Sequence, residues 1–155
     1  MPKLSYRLST NSNHSFFELE TTTFGKVLAK QAEQHLGDSG FSIIRKGQVA
    51  FVDRLVMIDL AEKSIDLQYY IWEPDTTGRI LAERLVRAAD RGVRVRVLLD
   101  DINTKGRDAL IASLVAHPNI EIRLFNPFSN RGFPVLDFIT NFNRVNHRMH
   151  NKVIV

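Results

Sequence analysis

The 155-residue sequence contains no cysteine, which excludes disulfide bonds and thiol catalysis. It also contains no apolar run of the roughly 18 residues that a membrane-spanning helix needs. The most apolar stretch, residues 49–60, is interrupted by Asp53, Arg54 and Asp59. The first 17 residues lack the apolar segment of a secretory signal. The sequence therefore predicts that any contact with a membrane is peripheral.

Several common catalytic signatures are also missing. There is no Gly-rich Walker loop and no Gly-x-Gly-x-x-Gly after the first predicted strand, so an ordinary nucleotide-binding domain is not supported. There is no Gly-x-Ser-x-Gly, which argues against a serine hydrolase of the α/β type. His147 and His150 lie three residues apart, but a zinc site needs three or four ligands and no further histidine is nearby. We therefore predict no metal and no cofactor.

The composition is that of a globular protein, with 44% hydrophobic and 25% charged residues. The net charge of +4 and the pI near 9.6 favour an anionic partner. Phospholipid headgroups and nucleic acid both fit this charge. Residues 1–20 are polar and rich in Ser and Asn, which predicts a disordered lead-in, and residues 21–155 are predicted to form the folded part.

The segment that follows the lead-in predicts two helices and a short strand. The first helix is expected to begin at Thr22 or Thr23 and to end at Gly37. Residues 41–44 predict a short strand, and residues 48–63 predict a second helix. The spacing within this second helix predicts a stripe that faces the core, formed by Val49, Val52, Val56 and Leu60, with Leu55 alongside.

Strands and helices then alternate along the chain. Strands are predicted at residues 65–72, 93–99 and 120–124, with helices from about Asp75 or Thr76 to Arg91 and from Lys105 to Ala116. A further short helix is predicted around residues 136–145. This order predicts an α/β fold, with a βαβαβ core, right-handed crossovers and a largely parallel sheet covered by helices.

In sheets of this kind, functional groups collect beyond the carboxyl ends of the strands. Six residues are expected near that edge, namely Tyr70, Trp72, Asp100, Asp101, Asn126 and Phe128. Each also has a structural interpretation: the aromatic residues as core at the strand ends, the aspartates as strand stops or helix caps, and Asn126 as a turn residue.

The last nine residues contain His150-Asn151-Lys152 at the head of an apolar run that predicts a strand. Residues i and i+2 of a strand point to the same face, so His150 and Lys152 are expected to lie side by side. An imidazole can attack phosphorus or transfer a proton, and an ammonium can hold phosphoryl oxygens. Taken alone, the pair also fits a solvated basic loop that leads into a strand.

Four blocks of sequence together resemble the amino-terminal half of the phospholipase D superfamily, and more narrowly its bacterial cardiolipin synthase C branch. They comprise residues 64–72, 88–101, 117–128 and 148–152. Enzymes of this family carry two copies of a His-x-Lys-x-x-x-x-Asp motif around one active site. One histidine forms a phosphohistidine, the other protonates the leaving alcohol, the lysines hold phosphoryl oxygens, and the aspartates orient the histidines.

This sequence matches the motif at His150 and Lys152, whereas the motif's Asp would fall beyond Val155 and no second motif is present. The resemblance therefore implies catalytic roles for His150 and Lys152. It implies weaker contacts with substrate for Asn151, Arg148, Tyr70 and Asp101. We expect the chain to be the first half of such a domain, truncated in its last strand and inactive alone, and to need a carboxyl-terminal half or a second chain.

The resemblance implies a phosphatidyltransferase of the cardiolipin-synthase type that acts on phosphatidylglycerol-type lipids without a metal. It further implies peripheral attachment to an anionic membrane surface, on the cytoplasmic side of a bacterial inner membrane. Two alternatives remain. The same motif pair serves phosphodiesterases that act on nucleic acid, which the net charge of +4 would suit. A catalytically inactive fragment that acts as a binding module is the other.

Overall fold

The computed structural model describes residues 21–104, 107–129, 139 and 142–155. The chain divides into two compact units, Met1–Arg45 and Lys46–Val155. In the first unit, α1 (Thr23–Ala32) begins where predicted, because the Thr22 hydroxyl accepts the N–H of Gly25 at 3.0 Å. The helix ends earlier than predicted, at Ala32, and Gly37 takes a φ of +86° in the turns that follow.

The strand predicted at residues 41–44 is wrong. This segment has no regular secondary structure, and Phe41 and Ile43 are 93% and 85% exposed. A strand needs a neighbour to pair its backbone N–H and C=O groups, and the four strands of the described chain pair only with one another. The disordered lead-in predicted for residues 1–20 lies outside the described residues.

The second unit contains one sheet and its helices. Its elements in chain order are α2 (Gly47–Leu60), β1 (Ser64–Tyr69), α3 (Thr76–Asp90), β2 (Arg94–Asp100), α4 (Asp108–Val115), β3 (Ile120–Phe125), α5 (Phe142–Asn146) and β4 (Lys152–Ile154). The strand order is β3-β2-β1-β4, in which β1 to β3 are parallel and β4 is antiparallel to β1. The predicted α/β class with a largely parallel βαβαβ sheet is confirmed.

The core-facing stripe predicted for α2 is wrong. The four residues of that stripe are 45–56% exposed, namely Val49, Val52, Val56 and Leu60. The opposite side of the helix faces the core, where Ile58 is fully buried and Leu55 packs against the core cluster. Both sides of α2 carry apolar residues, so helical spacing by itself could not show which side is buried.

The two faces of the sheet differ in character. One face is apolar, and the other carries a row of charged side chains. Alternate residues of β1 and β2 enter a buried cluster with α3 and α4, formed in part by Ile65, Leu67, Val95, Val97, Leu81, Leu85 and Ile111. The intervening positions place Asp66, Arg96 and Glu121 next to one another in register. The Asp66 carboxylate accepts from the Arg96 guanidinium, and this hydrogen bond raises the pKa of Arg96.

A close approach between α3 and the preceding loop requires glycine at position 78. A Cβ on Gly78 would lie 1.8 Å from the carbonyl oxygen of Glu73 and 3.0 Å from the Trp72 ring. We expect Gly78→Ala to lower the free energy of unfolding by roughly 1–3 kcal/mol in a urea titration, because backbone atoms must move apart. Gly47→Ala is the matched control, since a Cβ there meets nothing within 4 Å. Equal stability of the two variants would contradict the close approach.

The amino terminus of α3 gives a prediction about pH. The Asp75 carboxylate accepts from the N–H of Gly78 and the hydroxyl of Thr77, and these bonds lower the pKa of Asp75 below its ordinary value of 3.8. The contribution of the charged cap is therefore full above that value and is lost as pH falls through the lowered pKa. We expect the stability advantage of the unsubstituted chain over Asp75→Asn to be constant from pH 7 to about pH 5 and to shrink at lower pH. A pH-independent difference would contradict this assignment.

Candidate active site

The predicted site residues meet at one edge of the sheet. The parallel strands β1, β2 and β3 end there, so Tyr70, Asp100 and Asn126 lie at the same edge. Strand β4 runs in the opposite direction and begins there, with Lys152 paired with Tyr69 in register. The segment that leads into β4 therefore brings His150 to the carboxyl ends of the parallel strands, as expected for a site in this fold.

The side chain of Tyr70 lies near both residues of the His-x-Lys pair. The ring centroids of Tyr70 and His150 are 4.2 Å apart with an interplanar angle of 57°. The Lys152 ammonium lies 5.7 Å from the centroid of the same ring. His150 and Lys152 are both exposed and therefore share one aromatic neighbour at the surface.

Neither side chain of the pair is committed to another group in the described part of the chain. There, no carboxylate forms an ion pair with Lys152, whose ammonium has only the His150 carbonyl oxygen at 3.5 Å. The His150 ring makes no hydrogen bond with a described residue. Among the described residues, the ammonium is thus available to an anion, and no group selects the tautomer of the imidazole.

Asn151 ties this segment to β1. Its carbonyl oxygen accepts the N–H of Tyr70 at 3.0 Å, and its side-chain amide donates to the Gln68 side chain at 3.0 Å. The residue between His150 and Lys152 is therefore held by both backbone and side chain.

A buried carboxylate, that of Asp100, binds the residues that precede His150. Asp100, at the end of β2, is 1% exposed. It accepts the N–H of Ile102 at 3.0 Å, the N–H of Met149 at 2.9 Å and a guanidinium N–H of Arg148 at 3.1 Å. Two of these donors come from the two residues that precede His150.

The Arg148 side chain is buried rather than directed to solvent, with 8% of it exposed. Its Nη1 also lies 3.3 Å from the carbonyl oxygen of Asn126, and its guanidinium lies 4.7 Å from the centroid of the Phe128 ring. Asn126, with a φ of +48°, donates from its side chain to the carbonyl oxygen of His147. The loop after β3 therefore supports the approach to β4.

Asp101 is buried beside Asp100 and faces other partners. Its carboxylate accepts from the Thr104 hydroxyl and, at 2.8 Å, from the N–H of Phe128. This arrangement gives Asp101 a structural role, and contact with substrate stays a prediction for Asp101 and Arg148. The sequence indicated that the two aspartates lie at the edge, but alternation could not show that Asp100 is the one that contacts the His-x-Lys segment.

A small cleft is lined in part by Tyr70. Its polar side includes Asn103 and Arg107, and its apolar side is formed by residues such as Leu99, Ile111 and Ile122. Arg107 donates to the carbonyl oxygen of Trp72 and pairs with Glu73, so its charge is already balanced. The cleft therefore combines an apolar wall with hydrogen-bonding groups close to the His-x-Lys pair.

The described residues lack two further features. They contain no group of three or more His, Cys, Asp or Glu side chains placed to hold a metal ion. None of the helices in these parts of the chain is both long enough and apolar enough to span a bilayer.

The chain is similar to known proteins in sequence. A family described as "Cardiolipin synthase, PLD-like domain" matches residues 55–155. The chain is 51% identical over 119 residues to cardiolipin synthase C of Escherichia coli (strain K12), covering 77% of this chain and 25% of that protein. It is 31% identical over 118 residues to a cardiolipin synthase of Oceanobacillus iheyensis, covering 76% of this chain and 23% of that protein. The chain thus spans about a quarter of the length of these relatives.

A solved structure also aligns with the chain. It is that of a phospholipase D family member from Salmonella typhimurium, with a TM-score of 0.44 and 28% identity. The alignment covers 71% of this chain and 57% of that one.

The contact between Tyr70 and His150 predicts a spectroscopic signature. Because the two rings lie 4.2 Å apart, the ring current of Tyr70 should displace the imidazole proton resonances of His150 from those of a solvated histidine. We expect Tyr70→Leu to abolish this displacement in a proton–carbon NMR spectrum and Tyr70→Phe to keep it. His150→Gln identifies the resonances, and His117, a surface residue paired with Asp90, is the internal control. An unchanged His150 resonance in Tyr70→Leu would contradict the contact.

Proposed function

The chain belongs to the family of phospholipase D-like domains of cardiolipin synthase, and we propose that it forms part of a phosphatidyltransferase. In this proposal, His150 and Lys152 act on the phosphodiester of a phospholipid. The observation that carries the proposal is that an exposed imidazole and an ammonium with no carboxylate partner among the described residues both lie near one ring, that of Tyr70. The reaction needs a nucleophile and a fixed cation in this relation.

The proposed reaction has two transfers. In the first, an imidazole nitrogen forms a bond to phosphorus while the bond to the leaving alcohol breaks, and a second histidine gives its proton to that alcohol. In the second, the hydroxyl of an acceptor lipid loses its proton to the second histidine and attacks phosphorus, which releases the first histidine. His150 takes one of these two roles, and Lys152 stabilises the negative phosphoryl oxygens in both transfers.

The proposed substrate is a phospholipid, with a phosphatidylglycerol-type lipid as acceptor. The names of the relatives support this choice. The net charge of +4 favours an anionic surface, and we propose peripheral attachment to the cytoplasmic side of a bacterial inner membrane.

The proposed site also needs groups that the described residues do not place beside His150. The reaction requires a second histidine, and the His150 ring requires an acceptor that selects its tautomer. We propose that a further His-x-Lys segment, from a carboxyl-terminal half or from a second chain, completes the site. Without it, the 155-residue chain should carry out no measurable phosphatidyl transfer.

The charges at the sheet edge favour lipid over nucleic acid as the substrate. Arg148 pairs with Asp100, and Arg107 pairs with Glu73. Binding of a nucleic acid depends on many cations that are free to neutralise successive phosphates. A single lipid phosphate needs only a few, and Lys152 is one.

The test is phosphatidyl transfer by the full-length product of the gene, measured as cardiolipin formed in vesicles that contain phosphatidylglycerol. We expect His150→Gln and Lys152→Gln each to lower kcat by about 10²–10⁴-fold. His117→Gln is the matched control, because His117 lies next to the amino end of β3, at the opposite edge of the sheet. Full activity of His150→Gln would overturn the proposal. Cleavage of DNA without lipid transfer would favour the phosphodiesterase alternative.

A further inference from the structure

The residues before His150 connect α5 to β4 along the carboxyl ends of the parallel strands. The buried Asp100 carboxylate accepts hydrogen bonds from them there. We propose that Asp100 is a positioning residue for His150. It fixes the backbone in front of the histidine so that the imidazole lies against Tyr70 and next to Lys152. The proposal rests on the proposed function, because it concerns the geometry of that reaction's histidine.

The first step of the argument is the backbone on either side of His150. The N–H of Met149, one residue before it, donates to Asp100 at 2.9 Å. The carbonyl oxygen of Asn151, one residue after it, accepts from the N–H of Tyr70 at 3.0 Å. The backbone on both sides of His150 is thus held by hydrogen bonds, one to the end of β2 and one to the end of β1. The side-chain torsions of His150 are then its main remaining freedom.

The second step concerns how three hydrogen bonds are distributed over the two carboxylate oxygens of Asp100. One oxygen accepts from Arg148 and Ile102, and the other accepts from Met149. Both oxygens of the carboxylate are therefore needed at once. An amide at this position would offer one acceptor oxygen and would turn an NH₂ group toward a donor.

The third step concerns the fit of Arg148. Its planar guanidinium reaches the Asp100 carboxylate and the Asn126 carbonyl oxygen from the same nitrogen, and it lies over the Phe128 ring. A lysine would keep the charge but could not keep the planar contact with Phe128 together with both acceptors. The ion pair of Arg148 with Asp100 therefore depends on the shape of the Arg148 side chain as well as on its charge.

The two interpretations of Asp100, structural and positioning, differ in what happens in the folded chain. If Asp100 only stabilises the fold, the folded molecules of a weakened variant keep His150 in place. If Asp100 positions His150, the folded molecules lose the contact with Tyr70. The imidazole resonances of His150, displaced by the Tyr70 ring, report this difference without any need for activity.

The experiment compares Asp100→Asn with Asp66→Asn in the 155-residue chain by proton–carbon NMR. Asp66 also pairs with an arginine, Arg96, but on β1 and away from the His-x-Lys segment, which makes it a matched control. We expect the displacement of the His150 resonances to be lost in Asp100→Asn and kept in Asp66→Asn, at temperatures where methyl dispersion shows that both are folded. A displacement kept in folded Asp100→Asn would overturn the proposal.

A second variant covers the case in which Asp100→Asn does not fold. Arg148→Lys keeps the charge partner of Asp100 and is the milder change. We expect it to fold and to reduce the displacement of the His150 resonances. An undiminished displacement in Arg148→Lys, together with an unfolded Asp100→Asn, would show that the pair is structural only and would overturn the proposal.

Titration with inorganic phosphate separates this proposal from the proposed function. We expect phosphate to shift the His150 resonances of the unsubstituted chain and of Asp66→Asn, and to shift those of Asp100→Asn less at equal concentration. If phosphate shifts none of them while the Tyr70 displacement still depends on Asp100, the positioning role stands and the proposed function is weakened. If phosphate shifts all three equally, the positioning role is overturned and phosphate binding stands.

Discussion

The candidate site depends on the hydrogen bonds that the buried Asp100 carboxylate accepts. An isolated carboxylate in a protein interior costs several kcal/mol, so it persists only where charged and polar donors surround it. Arg148 and the N–H of Met149 supply such donors from a segment 48 and 49 residues further along the chain. The requirement to satisfy this one buried group therefore joins the end of β2 to the start of β4, and the site forms where they meet.

The topology explains why the meeting place lies at the sheet edge. Strands β1, β2 and β3 are parallel and leave their carboxyl ends together, whereas β4 pairs antiparallel with β1 and starts at that same edge. Lys152 thereby comes into register with Tyr69, next to the Tyr70 ring. One antiparallel strand is enough to bring a late segment of the chain to a site that the parallel strands have built.

Sequence periodicity gave wrong predictions where a segment's burial or strand pairing depended on residues far away in the chain. The α2 stripe that includes Val52 and Val56 has good helical spacing, yet it is exposed, because α2 is apolar on two sides and α3 packs against the other. Residues 41–44 have the composition of a strand but lack a strand to pair with in the described chain. In α3, by contrast, Leu81 and Leu85 lie on a single apolar side, and both are buried.

The sequence by itself determined the α/β class, the positions of the main helices and strands, and the His-x-Lys spacing of His150 and Lys152. These features depend on periodicity and on residues close together in the chain. Only the tertiary structure decided that β4 lies beside β1, that Tyr70 contacts both members of the pair, and that Asp100 rather than Asp101 holds the approach to His150. The physical reason is the same in each case, because these contacts join residues that are tens of positions apart and local periodicity carries no information about them.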